Sequence, residues 1–150
     1  MPIIELKRTI AAPVNRIVEI AKDVESYPQF MPDVKSVKVI EKSEDGKRQI
    51  VEWVGIIKQF AREIKWTQED RWTADNRVEF SQIKGDYDKM EGYWEFRNTD
   101  AGTEFVNYLD YEYKVPLLGA LLTKVVDHLV RQNLNSIMDG IENEATKPAS

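Results

Sequence analysis

Six consecutive segments between Val34 and Tyr113 alternate apolar and polar side chains, and a single long amphipathic stretch, roughly residues 118–144, follows them. Strict alternation gives strands with one apolar face, and an antiparallel sheet must cover that face. The terminal helix is the one element long enough to do so, on the order of 35 Å at 1.5 Å per residue. The pattern therefore predicts a curved sheet wrapped around a helix.

The strands read as follows. Val37 and Val39 alternate with Lys38, and Glu44-Asp45-Gly46 is a hairpin turn. The run KRQIVEWVGII is β-branched and aromatic, which favours a strand. Over 60–72, Phe60, Ile64, Trp66 and Trp72 share one face, while Glu63, Lys65, Glu69 and Arg71 share the other. Residues 55–59 carry no strong turn chemistry, and the parity there favours Val51 and Trp53 inward. After the turn Ala74-Asp75-Asn76, Val78 and Phe80 oppose Arg77 and Glu79. Met90, Gly92, Trp94 and Phe96 then oppose Glu91, Glu95 and Arg97. Last, Phe105, Leu109, Tyr111 and Tyr113 alternate with Glu104, Asp110 and Glu112.

Before these segments, Ile4, Leu6 and Ile10 mark a first strand. Pro13 opens a helix whose Val14, Ile17, Val18 and Ala21 form one stripe. That helix stops before Pro28. In the terminal helix, Leu118, Leu122, Val125, Leu129, Ile137 and Ile141 trace the apolar side, and Lys124, His128, Arg131 and Asn135 the polar side. The expected class is α+β, ordered strand, helix, short helical corner, six strands, long helix. A chain of 150 residues is expected to form one domain spanning 1–150, with a tail that frays from about Asn143.

A twisted sheet around one helix leaves space between them. The candidate lining is aromatic: Trp53, Phe60, Trp66, Phe80, Trp94, Phe105 and Tyr111, with Ile64, Met90, Leu122 and Leu129 beside them. Gly92 removes bulk from that face. Arg62 and Asn107 interrupt it. Either they orient a ligand's polar head, or they are structural, with Arg62 meeting Asp70 or another carboxylate, or reaching solvent near the sheet's end. The corner "VESYPQFMPDV" (residues 24–34) crowds Tyr27, Phe30 and Met31 between two prolines. These three either gate one end of the cavity or plug the joint between helix and sheet.

Several chemistries find no support. There is no cysteine, so thiolate catalysis and thiolate metal sites are excluded. His128, the single histidine, lies beside Lys124 and Arg131, so no Ser-His-Asp triad or metal site is expected. No glycine-rich phosphate loop is present, and no cofactor is expected. Strand carboxylates fall on the outer face, and Asp86 and Asp88 sit in a loop. The net charge of −5 argues against a nucleic-acid partner. No signal peptide or membrane span is visible, which predicts a cytoplasmic protein.

Two stretches carry a family resemblance: "AKDVESYPQFMPDVKSVKVIE" (residues 21–41), with its Tyr-Pro-x-Phe-x-Pro corner, and "KGDYDKMEGYWEF" (residues 84–96), a loop followed by an aromatic strand. They resemble the polyketide cyclase/dehydrase and coenzyme Q-binding family of the START/Bet v 1-like (SRPBCC) helix-grip superfamily. The resemblance implies a hydrophobic cavity that binds a lipid, quinone or polyketide-like molecule. It implies three alternative roles: binding or transport, polyketide cyclisation or dehydration in the same cavity, or a protein-interaction module of the ribosome-association toxin type.

Overall fold

The β-branched and aromatic alternation produces seven strands, seen in a computed structural model that describes residues 3–57, 62–113 and 119–147, with the backbone alone for 119–123. The order is β1 (Ile3–Ile10), α1 (Val14–Lys22), a 3-10 corner (Val24–Gln29), β2 (Val34–Lys42), β3 (Arg48–Ile57), β4 (Arg62–Trp72), β5 (Arg77–Gly85), β6 (Lys89–Thr99), β7 (Gly102–Glu112) and α2 (Gly119–Ala145). The strands form one sheet in the order β1-β7-β6-β5-β4-β3-β2, every neighbouring pair antiparallel. β1 and β2 are thus opposite edges, and α1 with the corner carries the chain from one to the other. This is the helix-grip α+β architecture, with α2 held against the concave face.

Register fixes that inner face. Gln49, Val51, Trp53, Gly55 and Ile57 of β3 stand opposite Asp70, Gln68, Trp66, Ile64 and Arg62 of β4. Val78 and Phe80 stand opposite Trp94 and Gly92, and Met90, Trp94 and Phe96 opposite Tyr111, Asn107 and Phe105. Val51 and Trp53 accordingly lie inward, 0% and 5% exposed. Register shifts in β2, and in β5 at Ile83 where it pairs with β4, add bend to the sheet.

Gly92 serves a different purpose from opening space. A Cβ there would collide with the Tyr108 carbonyl oxygen and lie 3.0 Å from the Phe80 ring, so close backbone approach demands glycine and Phe80 fills the inner side.

α2 buries Leu129, Val130, Met138, Ile141 and Ala145. Val125 is exposed, contrary to the predicted stripe: the helix is apolar on adjoining positions (Val125 and Val126, Leu129 and Val130), and packing selects the phase. Leu118 lies outside the described residues, as does the side chain of Leu122. α2 continues past Asn143 to Ala145. Ala145 packs in the core four residues after Ile141, and the Thr146 amide and hydroxyl both donate to the Glu142 carbonyl. On β1, Arg8 turns inward and pairs with Asp139 and Glu142, tying α2 to the sheet edge.

Candidate functional site

Between the inner face of β3–β6, the corner and the middle turns of α2 lies a cavity of about 90 Å³. A single water needs roughly 10–15 Å³ on this measure, so the hollow exceeds a packing defect. Its wall follows β4 from Ile64 through Trp66, Gln68 and Asp70 to Trp72, with Trp53, Gly55 and Ile57 from β3. Val78, Phe80, Tyr87, Met90, Trp94 and Leu109 continue it, and α2 closes it with Val130, Asn133, Leu134 and Ile137. The corner contributes Val24 and Tyr27.

The rings of the wall pack on one another. Trp53 and Trp66 stack at 5.4 Å between centroids, and Tyr87 meets Trp66 at 5.5 Å. Tyr27 contacts Trp53 at 5.5 Å and Trp94 at 6.2 Å. The Tyr27 hydroxyl donates to the Ala21 carbonyl, which anchors the corner to α1. Burial, with the charges of Asp70 and Asp23, holds that phenol well above its ordinary range, so it stays neutral.

One polar chain crosses this apolar surface. Trp66 Nε1 donates to Gln68 Oε1 at 2.7 Å, and Gln68 Nε2 donates to Asp70 Oδ1 at 2.6 Å. From β3, Gln49 Nε2 donates to Asp70 Oδ2 at 3.3 Å. The strand period of two puts Trp66, Gln68 and Asp70 on one face, and the pairing brings Gln49 opposite. Burial pushes the Asp70 carboxyl up to about 6; its bonds from Gln68 and Gln49 oppose the rise and the Glu69 charge adds to it.

Of the residues predicted from sequence, Tyr27, Trp53, Ile64, Trp66, Phe80, Met90 and Trp94 line the cavity. Arg62 does not. It is exposed at the end of β4 opposite Ile57, where its long side chain reaches solvent. Phe105, Asn107, Tyr111 and Leu129 are buried outside the wall. Phe105 packs on Phe96 at 4.7 Å, and the Tyr111 hydroxyl donates to Asp127 at 3.0 Å. Asn107, in register between Leu6 and Trp94, has no protein partner for its amide among the described residues. Phe30 and Met31 pack against α2 at Gly140, where a Cβ would meet the Phe30 carbonyl oxygen at 2.7 Å and Met31 Cγ at 2.9 Å. Of the three corner residues Tyr27 alone reaches the cavity, and Phe30 and Met31 sit at the joint with α2. Phe60 lies outside the described residues, and Leu122 has only its backbone described.

Gln68, Gln49 and Tyr87 are not anticipated from the sequence, and Asp70 is anticipated only as a partner for Arg62, which it does not meet. The sequence reading assigns strand carboxylates to the outer face, and Asp70 is the exception. The signal was available: the alternation that places Ile64, Trp66 and Trp72 inward also places positions 68 and 70 inward. Asp86 serves the fold, its carboxylate accepting the Lys65 amide at 2.8 Å, and His128 is exposed. Among the described residues no cluster of three or more His, Asp or Glu is placed to hold a metal, and no helix is long and apolar enough to cross a membrane.

The architecture is shared. The crystal structure of TTHA0849 from Thermus thermophilus superposes with a TM-score of 0.89 at 32% identity, covering 96% of this chain and 97% of that one. The Zhui aromatase/cyclase from Streptomyces sp. R1128 gives 0.86 at 20% identity, over 96% and 93% of the two chains. The persistence and stress-resistance toxin PasT of Escherichia coli O6:H1 is 24% identical over 130 residues, 83% of this chain and 78% of that protein. The family model for polyketide cyclase/dehydrase and lipid transport matches residues 10–138, from the last residue of β1 into α2 and across the cavity wall. By that match, with the curved sheet and its helix, this chain belongs to the polyketide cyclase/dehydrase and lipid transport family.

Proposed function

We propose that the protein binds a hydrophobic small molecule, of lipid, quinone or polyketide-like character, in the cavity between sheet and α2. The observation that carries this reading is the hollow itself: α2 covers the indole-rich sheet without filling it. Burying apolar ligand surface there yields about 25 cal/mol per Å². At about 90 Å³ the hollow is smaller than the roughly 300–1,000 Å³ of pockets for drug-sized ligands. A large ligand therefore displaces α2 or the rim outward, while a single ring enters with less rearrangement.

A second reading, cyclase or dehydratase chemistry, is favoured by Asp70. A buried carboxyl pushed up to about 6 by burial inside an apolar cavity is suited to general acid–base work. The similarity to the aromatase/cyclase supports the fold for this reading and does not extend to a substrate.

Native mass spectrometry of gently purified protein tests the binding reading. A co-purifying hydrophobic molecule, or saturable quenching of tryptophan emission by a naphthoquinone or a medium-chain fatty acid, is the expected result. Mass spectra of bare protein together with flat titrations for both probes would overturn it. Turnover of a poly-β-ketone that depends on Asp70 would select the enzymatic reading.

A further inference from the structure

The cavity wall contains hydrogen-bonding capacity that the protein itself does not use. A carboxylate offers about four acceptor positions. Asp70 receives one bond on each oxygen, from Gln68 and Gln49, which leaves about two positions free. Among the described residues no cationic side chain pairs with it. Trp53, only 5% exposed and in the same wall, has an indole N–H without an acceptor among the described residues. Asp70 thus keeps spare acceptor capacity in an apolar wall, and the Trp53 N–H beside it is a buried donor without a partner among the described residues, which is costly.

We propose that the cavity takes an uncharged aromatic ligand bearing a hydroxyl, a phenol or an enol, which donates its hydrogen bond to the Asp70 carboxylate. The inference rests on the cavity being a ligand site and specifies the ligand's polar group. The walls favour a flat ring: Trp72, Phe80 and Trp94 flank the polar end. A hydroxyl also suits the setting better than an ammonium. It enters without desolvating a full charge, whereas a buried ion pair at best roughly recovers that cost.

The bond is pH-dependent, because Asp70 must be ionised to accept at full strength. Burial first, with the Glu69 charge adding to it, pushes this carboxyl up to about 6, against the bonds from Gln68 and Gln49. Asp33, before β2, is a second carboxylate in the same wall, and the elements packed around Asp70 supply the following groups. β3 supplies the neutral Gln49. The corner supplies Tyr27, neutral and bonded to Ala21. α1 supplies Lys22, whose ammonium sits 5.1 Å from the Trp72 ring centroid. Glu69, beside Asp70 on β4, points outward to Arg48 and Arg71. α2 faces the cavity here with the uncharged Asn133.

Fluorine NMR titration of the full chain with 4-fluorophenol, fluorobenzene and 4-fluorobenzylamine tests the proposal. At about pH 7.5 the phenol should bind about tenfold more tightly than fluorobenzene, as a charge-assisted hydrogen bond implies. The preference should fall to about threefold or less at about pH 5 in the wild type, and equally in Asp70→Asn at about pH 7.5. The pH series on the wild type decides the matter even where the variant does not fold. Equal binding of phenol and fluorobenzene, a preference that survives Asp70→Asn, or tightest binding of the amine would each overturn the proposal while leaving the cavity a ligand site. Failure of all three probes to bind would overturn the hydroxyl proposal and count against the binding reading beneath it.

Discussion

Replacing Asp70 with asparagine should make the protein more stable at neutral pH and leave it nearly unchanged in acid. The folded carboxyl is raised from 3.8 to about 6, chiefly by burial. Above both values the group is ionised in the folded and unfolded states alike, and the folded state bears the desolvation cost. A rise of about two pH units, at 1.36 kcal/mol per unit, corresponds to about 3 kcal/mol. Below the unfolded value both states are protonated and the cost vanishes. Between them the folded state holds more protons than the unfolded, so this group's contribution to stability falls as pH rises from about 4 to about 6 and then levels.

Asparagine is nearly isosteric with the protonated carboxyl. Its oxygen still accepts from Gln68, and a flip of the Gln49 amide supplies an acceptor for its NH₂. The advantage of the variant over the wild type should therefore grow from near zero at about pH 3 to about 3 kcal/mol above about pH 6.5. Urea unfolding followed by tryptophan emission at several pH values gives both curves. Taking their difference removes the surface carboxylates Asp45, Glu63 and Glu95, which hydrogen-bonded partners hold below their ordinary range and which slope the other way. A difference that is flat with pH, or that grows toward acid, would refute the argument that burial dominates at Asp70.

Two further predictions concern the corner. Phe30→Ala, at a half-buried residue outside the cavity wall, should cost about 1–3 kcal/mol in urea unfolding while probe affinity changes by less than about twofold; a loss of affinity without a loss of stability would restore the gate. Gly140→Ala gains up to about 1 kcal/mol of helix propensity but drives a methyl group into the Phe30 carbonyl and Met31, an overpacking cost of about 1–3 kcal/mol. A net loss of stability is expected in thermal or urea melts, and a net gain would mean that the corner yields easily.

Particular residues show how far the sequence reaches. Val78, Phe80, Met90, Trp94 and Phe105 are placed inward by alternation alone, since the strand period is two and one face must be buried. The corner's role is less legible. Two prolines announce a turn, but whether Phe30 faces the hollow or the helix depends on where α2 passes, and Gly140 of α2 meets it. The phase of α2 is similarly undetermined, because Val125 and Val126 are equally apolar and one faces solvent.

The linear order of amino acids determined the strands, their inner face, the long terminal helix and the apolar character of what lies between them, because periodicity is a local property. The tertiary structure decided which polar groups share that interior. Asp70 meets Gln49 only through the β3–β4 register, 21 residues apart in the chain, and Arg62, opposite Ile57, is exposed although it alternates in phase with Ile64. Register and helix phase are set by the packing of whole elements, and no local pattern in the chain encodes them.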